Sequence, residues 1–212
     1  KGVEVLDEMV LKAAYDSLAS SFDDEFGGFG WAPKFPPSMR LQLLLRIARR
    51  TGEPVALEMA EKTLDHMARG GIYDHLGGGF HRYSTDERWL VPHFEKMLYD
   101  NASLAWTYLE AYQVSGKAMY SRVVREILDY VLKERTRPGG GFYSAQDAAE
   151  VGEDGAFYVW HSPELREFLS PQEFALFEKV YGLSEPNNFE NGTHILNLQD
   201  EYDWTIKANH LI

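Results

Sequence analysis

Between Gly77 and Asn101 the chain runs GGGFHRYSTDERWLVPHFEKMLYDN. His81, Arg82, His93, Glu95, Lys96 and Asp100 fall within twenty residues, directly behind three glycines. Imidazole titrates near neutral pH, so His81 and His93 can run proton transfer. Two carboxylates such as Glu95 and Asp100 can instead cleave a glycosidic bond, given a suitable gap. Pro92 suits the first turn of a helix. A helix from there sets His93, Lys96 and Asp100 on one face and Glu95 with Tyr99 on another. Trp89 offers a stacking surface beside them. The structural alternative is that Lys96 pairs with Asp100 and that His93 caps the helix or bonds a carbonyl.

Other chemistries lack their patterns. His75, His81 and His93 match no metal motif, and no metal or cofactor is expected. There is no G-x-S-x-G elbow, and GGFGWA and GGGFHR miss the phosphate-loop spacings.

Two further glycine loops carry polar and aromatic side chains. DDEFGGFGWAPKFPP presents Trp31 and Lys34 on a proline-stiffened loop. GFYSAQDA presents Gln146 and Asp147, and GAFYVWH presents Trp160 on a return strand. Stacking faces with amides and carboxylates suit a polyhydroxylated ligand, although such aromatics can equally pack on one another.

The elements that must position these residues are mostly helical. Apolar periodicity predicts helices over 4–21, from Ser38 to Thr51, from Pro54 to Gly70, from Pro92 to about Val114 and over 117–135. Shorter helices start at Ser162, a candidate N-cap, and at Ser170-Pro171-Gln172-Glu173. The β-formers at 141–148 and 155–161 predict a hairpin with a long connection. Gly-Gly-Phe recurs at 27, 78 and 140, each time between helical stretches. Such a repeat predicts stacked helical hairpins, in a solenoid or a closed ring, although glycines also simply end helices.

Composition narrows the partners. The 212 residues hold 33 acidic and 21 basic side chains, a net charge of −12, and no cysteine. Nucleic acid lacks the basic patch it needs. No apolar run of about 18 residues crosses a membrane. Thiolate chemistry and disulfides are excluded, in keeping with a reducing, cytoplasmic location. The N-terminus has neither an initiator Met nor an apolar signal segment, so a single domain over 1–212, cut from a longer chain, is expected.

FGGFGWAPKFP, YDHLGGGFHRYSTDERWLVPHFEKMLYDNASL, GGGFYSAQDA and GAFYVWHSPEL together resemble the spermatogenesis-associated, thioredoxin-like protein family. The likeness runs from about Phe26 to Leu198. It implies an all-α fold, the first part of an (α/α) toroid of helical hairpins with a small β-hairpin near 141–161. That helical domain is similar to the N-acylglucosamine 2-epimerase and six-hairpin glycosidase folds. The resemblance also implies a thioredoxin-like domain ahead of Lys1 as partner, later hairpins after Ile212, and a small-molecule carbohydrate as ligand. By analogy of fold, His81 and His93 move protons beside a carbonyl that Arg82 polarises. Three functions stay open: an epimerase- or isomerase-like enzyme, a glycoside hydrolase using Glu95, Asp100 or Asp147, and a non-catalytic sensing or domain-docking module.

Overall fold

A computed structural model describes residues 8–148, 155–183 and 186–198. Seven α-helices lie among them: α1 (Glu8–Ser21), α2 (Ser38–Thr51), α3 (Pro54–Arg69), α4 (Leu98–Ser115), α5 (Ala118–Tyr130), α6 (Ser162–Phe168) and α7 (Pro171–Val180). A π-helical turn, Val131–Arg135, extends α5. Six two-residue strands form three antiparallel pairs: β1 (Tyr83–Ser84) with β2 (Pro92–His93), β3 (Lys96–Met97) with β4 (Ala145–Gln146), and β5 (Val159–Trp160) with β6 (His194–Ile195).

The helices follow their apolar faces. Leu41, Leu44, Leu45 and Ala48 of α2 meet Ala56, Met59, Ala60, Leu64 and Met67 of α3 and Leu104, Tyr108 and Ala111 of α4 in one core. Each fully buried Leu contributes roughly 1.5–3 kcal/mol. Helix ends follow their chemistry as well. Gly52 closes α2 in the left-handed region, donating to Ala48 O at 2.9 Å. Pro54 opens α3, and Ser170 with Glu173 forms a reciprocal capping box on α7. At α6 the cap position is His161, with Ser162 already inside the helix. The expected first helix begins four residues before the described part of α1.

Two expectations are overturned. The helix expected from Pro92 starts only at Leu98, because 91–97 is extended and bonded on both edges. Arg82 N–H donates to Glu95 O at 2.8 Å on one side, and Leu98 N–H donates to Ser144 O at 2.9 Å on the other. The hairpin expected over 141–161 does not pair with itself. Its first strand joins Lys96–Met97 and its second joins His194–Ile195, each finding a buried partner of its own. The connection at 149–154 lies outside the described residues.

The Gly-Gly-Phe repeat is real in three dimensions. Asp23 N–H donates to Gly28 O and Gly27 N–H to Asp23 O; Asp74 and Gly79, Gly78 and Asp74 repeat those bonds, all at 2.9–3.1 Å. Each loop is closed by a cross-bridge, Phe22 with Phe29 and Tyr73 with Phe80. Each also packs on the helix that follows the next: Gly27 against Thr63 of α3, Gly78 against Glu126 of α5. The third loop, closed by Thr136 and Phe142, holds Arg137 where the others hold aspartate. Its glycines meet no helix among the described residues.

Candidate functional site

A buried lysine ties down each of the first two loops. Lys34 Nζ donates to the Asp23 carboxylate, to Gly27 O at 2.8 Å and to Glu87 O at 2.9 Å. Lys96 Nζ donates to Asp74 Oδ2 at 2.6 Å and to Gly78 O at 2.9 Å. Asp74 Oδ1 meanwhile accepts from Leu76 and Gly77 N–H. Burial alone raises the Asp74 pKa, but the Lys96 charge and these bonds outweigh it and hold the carboxyl at about 2. Both lysines are thus loop clamps. Lys34 and Lys96, candidates for substrate binding by their residue type, are thus spent on the loops, and Lys96 pairs with Asp74 rather than Asp100. The recurring pattern, Asp-x-x-x-Gly-Gly-Phe at 23–29 and 74–80, was the signal in the sequence for Asp74.

Trp89 is also corrected. It is fully buried, its indole N–H donating to Phe26 O at 2.9 Å, and Lys34 Nζ sits 5.6 Å from its ring centre. Gly28, at φ +83°, admits this ring, since a Cβ there would lie 2.7 Å from it. A stacking surface must reach solvent, and this ring does not.

Extended residues alternate sides, and 92–97 follows that rule. Phe94 and Lys96 are buried on one side, while His93 and Glu95 are half-buried on the other. The histidine pair is therefore divided. His81 lies under the Phe94 side, its Nδ1 donating to Phe94 O at 2.9 Å. Burial, then the Lys96 charge, push its pKa down to about 3. It stays neutral and does not share a face with His93, so the expected two-histidine proton relay is not assembled here.

The other side gathers the remaining candidates. Glu95 Oε2 accepts from Arg82 Nη1 at 2.9 Å and lies 3.6 Å from His93 Nε2. The Tyr83 ring stacks on His93 at 5.1 Å, and Phe35 lies 4.8 Å from Tyr83. Asp100, in the first turn of α4, has Oδ2 buried with no hydrogen-bond partner among the described residues. Burial raises its pKa to about 6; Arg82 opposes the shift and Glu95 adds to it. Phe35 and Tyr99 are each 55% exposed, so the cluster is open. Four of the expected residues thus meet: Arg82, His93, Glu95 and Asp100. Composition gave no signal for Tyr83, which joins them only through strand pairing.

The outer candidates are scattered. Trp31 is 82% exposed in a shallow cleft with Asp23, Phe26 and Glu87. Gln146 Oε1 accepts from Tyr130 OH at 2.9 Å, and exposed Asp147 accepts from Ala148 N–H. Trp160 lines a cavity of about 310 Å³ on the His81 side, with Tyr73, Asp74, His75, Phe94, Phe157 and Tyr158. No set of three or more His, Asp or Glu among the described residues forms a metal site. No described helix is long and apolar enough to cross a membrane.

Paired helices linked by glycine loops define the fold class, part of an α/α toroid. Cellobiose 2-epimerase from Bacillus thermoamylovorans superposes with a TM-score of 0.57 at 13% identity, covering 66% of this chain and 42% of that one. A sugar epimerase from a ruminal bacterium gives 0.56 at 16% identity, covering 82% and 56%. Human spermatogenesis-associated protein 20 is 44% identical over 198 residues, 84% of this chain and 25% of that protein. The resemblance drawn from the motifs is thus shown: the close relatives of this chain carry that name. The chain spans about a quarter of the length of the curated relatives it matches. No protein-family model matches it.

Proposed function

We propose that Arg82, His93, Glu95 and Asp100 form the acid–base part of a carbohydrate site in an epimerase- or isomerase-like enzyme. The carrying observation is one shared oxygen with a raised carboxyl nearby: Glu95 Oε2 lies at both Arg82 and His93, while burial lifts Asp100 to about 6. In this reading His93 takes and returns a proton beside a carbonyl. Glu95 orients His93 and stabilises its cation, Arg82 polarises the carbonyl oxygen, and Asp100 supplies a proton near neutrality. Tyr83, Phe35 and Tyr99 offer faces for a sugar ring. The fold of the two epimerases supports this assignment by analogy. We further propose that the chain is the opening part of the toroid, and that later hairpins complete the wall of the site.

Thermal stabilisation and turnover against a panel of mono- and disaccharides test the reading. A sugar at about 100 times its Kd adds roughly 2.7 kcal/mol. His93→Ala is expected to abolish turnover of any sugar that the parent converts. Turnover unchanged in His93→Ala overturns the assignment.

The raised Asp100 carboxyl in the same cluster as Glu95 favours one second reading. Asp100 is a candidate general acid and Glu95 a candidate base for glycoside hydrolysis. Glycosidic cleavage abolished by both Asp100→Asn and Glu95→Gln supports it; epimerised but uncleaved disaccharide rules it out.

A further inference from the structure

The cavity on the His81 side of the extended stretch lies outside the cluster of the proposed function. Its polar groups can be sorted by the loop repeat. Asp74 is accounted for, because Asp23 and Lys34 build the same clamp in the first loop. His81 is not. The residue after Gly-Gly-Phe is Gly30 in the first loop, His81 in the second and Tyr143 in the third, so the loop does not demand an imidazole there.

His81 is 98% buried by its 2% exposure and lines the cavity. Its one hydrogen bond puts the ring proton on Nδ1, toward Phe94 O. Nε2 is then a bare acceptor with no partner among the described residues. Tyr158 lines the same cavity, its ring 4.7 Å from that of His81 and edge-on to it. Its hydroxyl is buried and also lacks a partner among the described residues. A buried hydroxyl left without a partner beside this imidazole costs free energy that a ligand would recover.

The rest of the lining sets the ligand's character. Tyr73, Phe94, Trp160, Ile195 and Leu196 are apolar over most of their surface. A polyol would leave hydroxyls unsatisfied against them. The one carboxylate is neutralised by Lys96, so neither sign of charge is favoured. His81, pushed down to about 3, brings no positive charge at any physiological pH.

We propose that this cavity is a second binding site, for a small neutral planar ring bearing an adjacent donor and acceptor, such as a primary carboxamide or a phenol. The donor reaches His81 Nε2, the acceptor takes the Tyr158 hydroxyl, and the ring packs among Phe94, Tyr158 and Trp160.

Titration of the protein with benzamide, followed by NMR shift changes, tests this beside benzoate and glucose. Saturable benzamide binding is expected, with benzoate and glucose at least tenfold weaker. Tyr158→Phe removes only an unpartnered hydroxyl, so the fold is retained. That variant is expected to bind benzamide about tenfold less well, the size of one lost hydrogen bond. His93→Ala is expected to leave benzamide binding unchanged, which keeps this site separate from the proposed carbohydrate cluster. Absence of saturation by benzamide overturns the proposal. So does equal binding of benzoate or glucose, or undiminished affinity in Tyr158→Phe.

Discussion

Asp100 and His81 are both perturbed by burial, and in opposite chemical senses. Burial lifts the Asp100 carboxyl to about 6, so its ionised form works against the native state above that pH. Asp100→Asn is therefore expected to raise Tm most at pH 7.5, less at pH 5, and to lose its advantage only below about pH 3.8, where both states of the parent are protonated. Loss of catalysis together with this gain in stability identifies Asp100 as a group kept for chemistry. His81 is depressed to about 3, against about 6.5 in the unfolded chain. The unfolded state thus binds a proton that the native state refuses. Stability is expected to fall as pH drops below about 6.5, and His81→Gln flattens that part of the curve. Denaturant midpoints at pH 7, 5.5 and 4.5 check it. Neither shift was visible in residue order, because both depend on which side of 92–97 a side chain lands.

At the level of elements, the glycine loops are held by their lysines. Lys96→Met leaves Asp74 charged, buried and unpaired, and is expected to cost about 3–5 kcal/mol in chemical denaturation. Lys96→Met with Asp74→Asn is expected to recover part of that loss. Gly79, at φ +79°, lies against Tyr130, and a Cβ there would come within 2.7 Å of its ring. Gly79→Ala is thus expected to destabilise through backbone and contact strain together. The helices were legible in the sequence: Pro54, Gly52 and Ser170 mark their own ends. Pro92 misled because a proline at the start of a helix and one at the start of a strand look alike. What decided it was pairing with Tyr83–Ser84 and Ala145–Gln146, from residues up to about fifty positions away. The same long-range pairing split the predicted hairpin and brought Tyr83 to His93. Local pattern thus found the four-residue cluster but not the wall that separates it from His81.

For the whole molecule, lysine ties the first two loops, while at the third the buried Arg135 guanidinium donates to Tyr143 O. Trp106, Leu109 and Tyr112 of α4, Leu128 of α5, Leu132 and Phe142 are all at least 40% exposed. The acid response belongs to this scale too. Asp74, near 2 when folded and about 3.8 when unfolded, contributes about 2 kcal/mol above pH 4, lost as pH falls toward 2. Stability is therefore expected to fall in two pH windows, the first set by His81 and the second by Asp74, resolvable as two slopes in denaturant midpoints against pH.

The alternation along Pro92–Met97 gives the protein a parity. Odd-numbered His93 and Glu95 serve the open cluster, and even-numbered Phe94 and Lys96 serve the clamp and the closed cavity. Inserting one residue after Pro92 would exchange the two sets, pushing a carboxylate toward the cavity and the clamping ammonium toward solvent. Inserting two would restore the order at the cost of a bulge. Chain length here is thus itself a chemical variable: evolution can alter the residues at these positions one at a time, but it can lengthen the segment only in even steps.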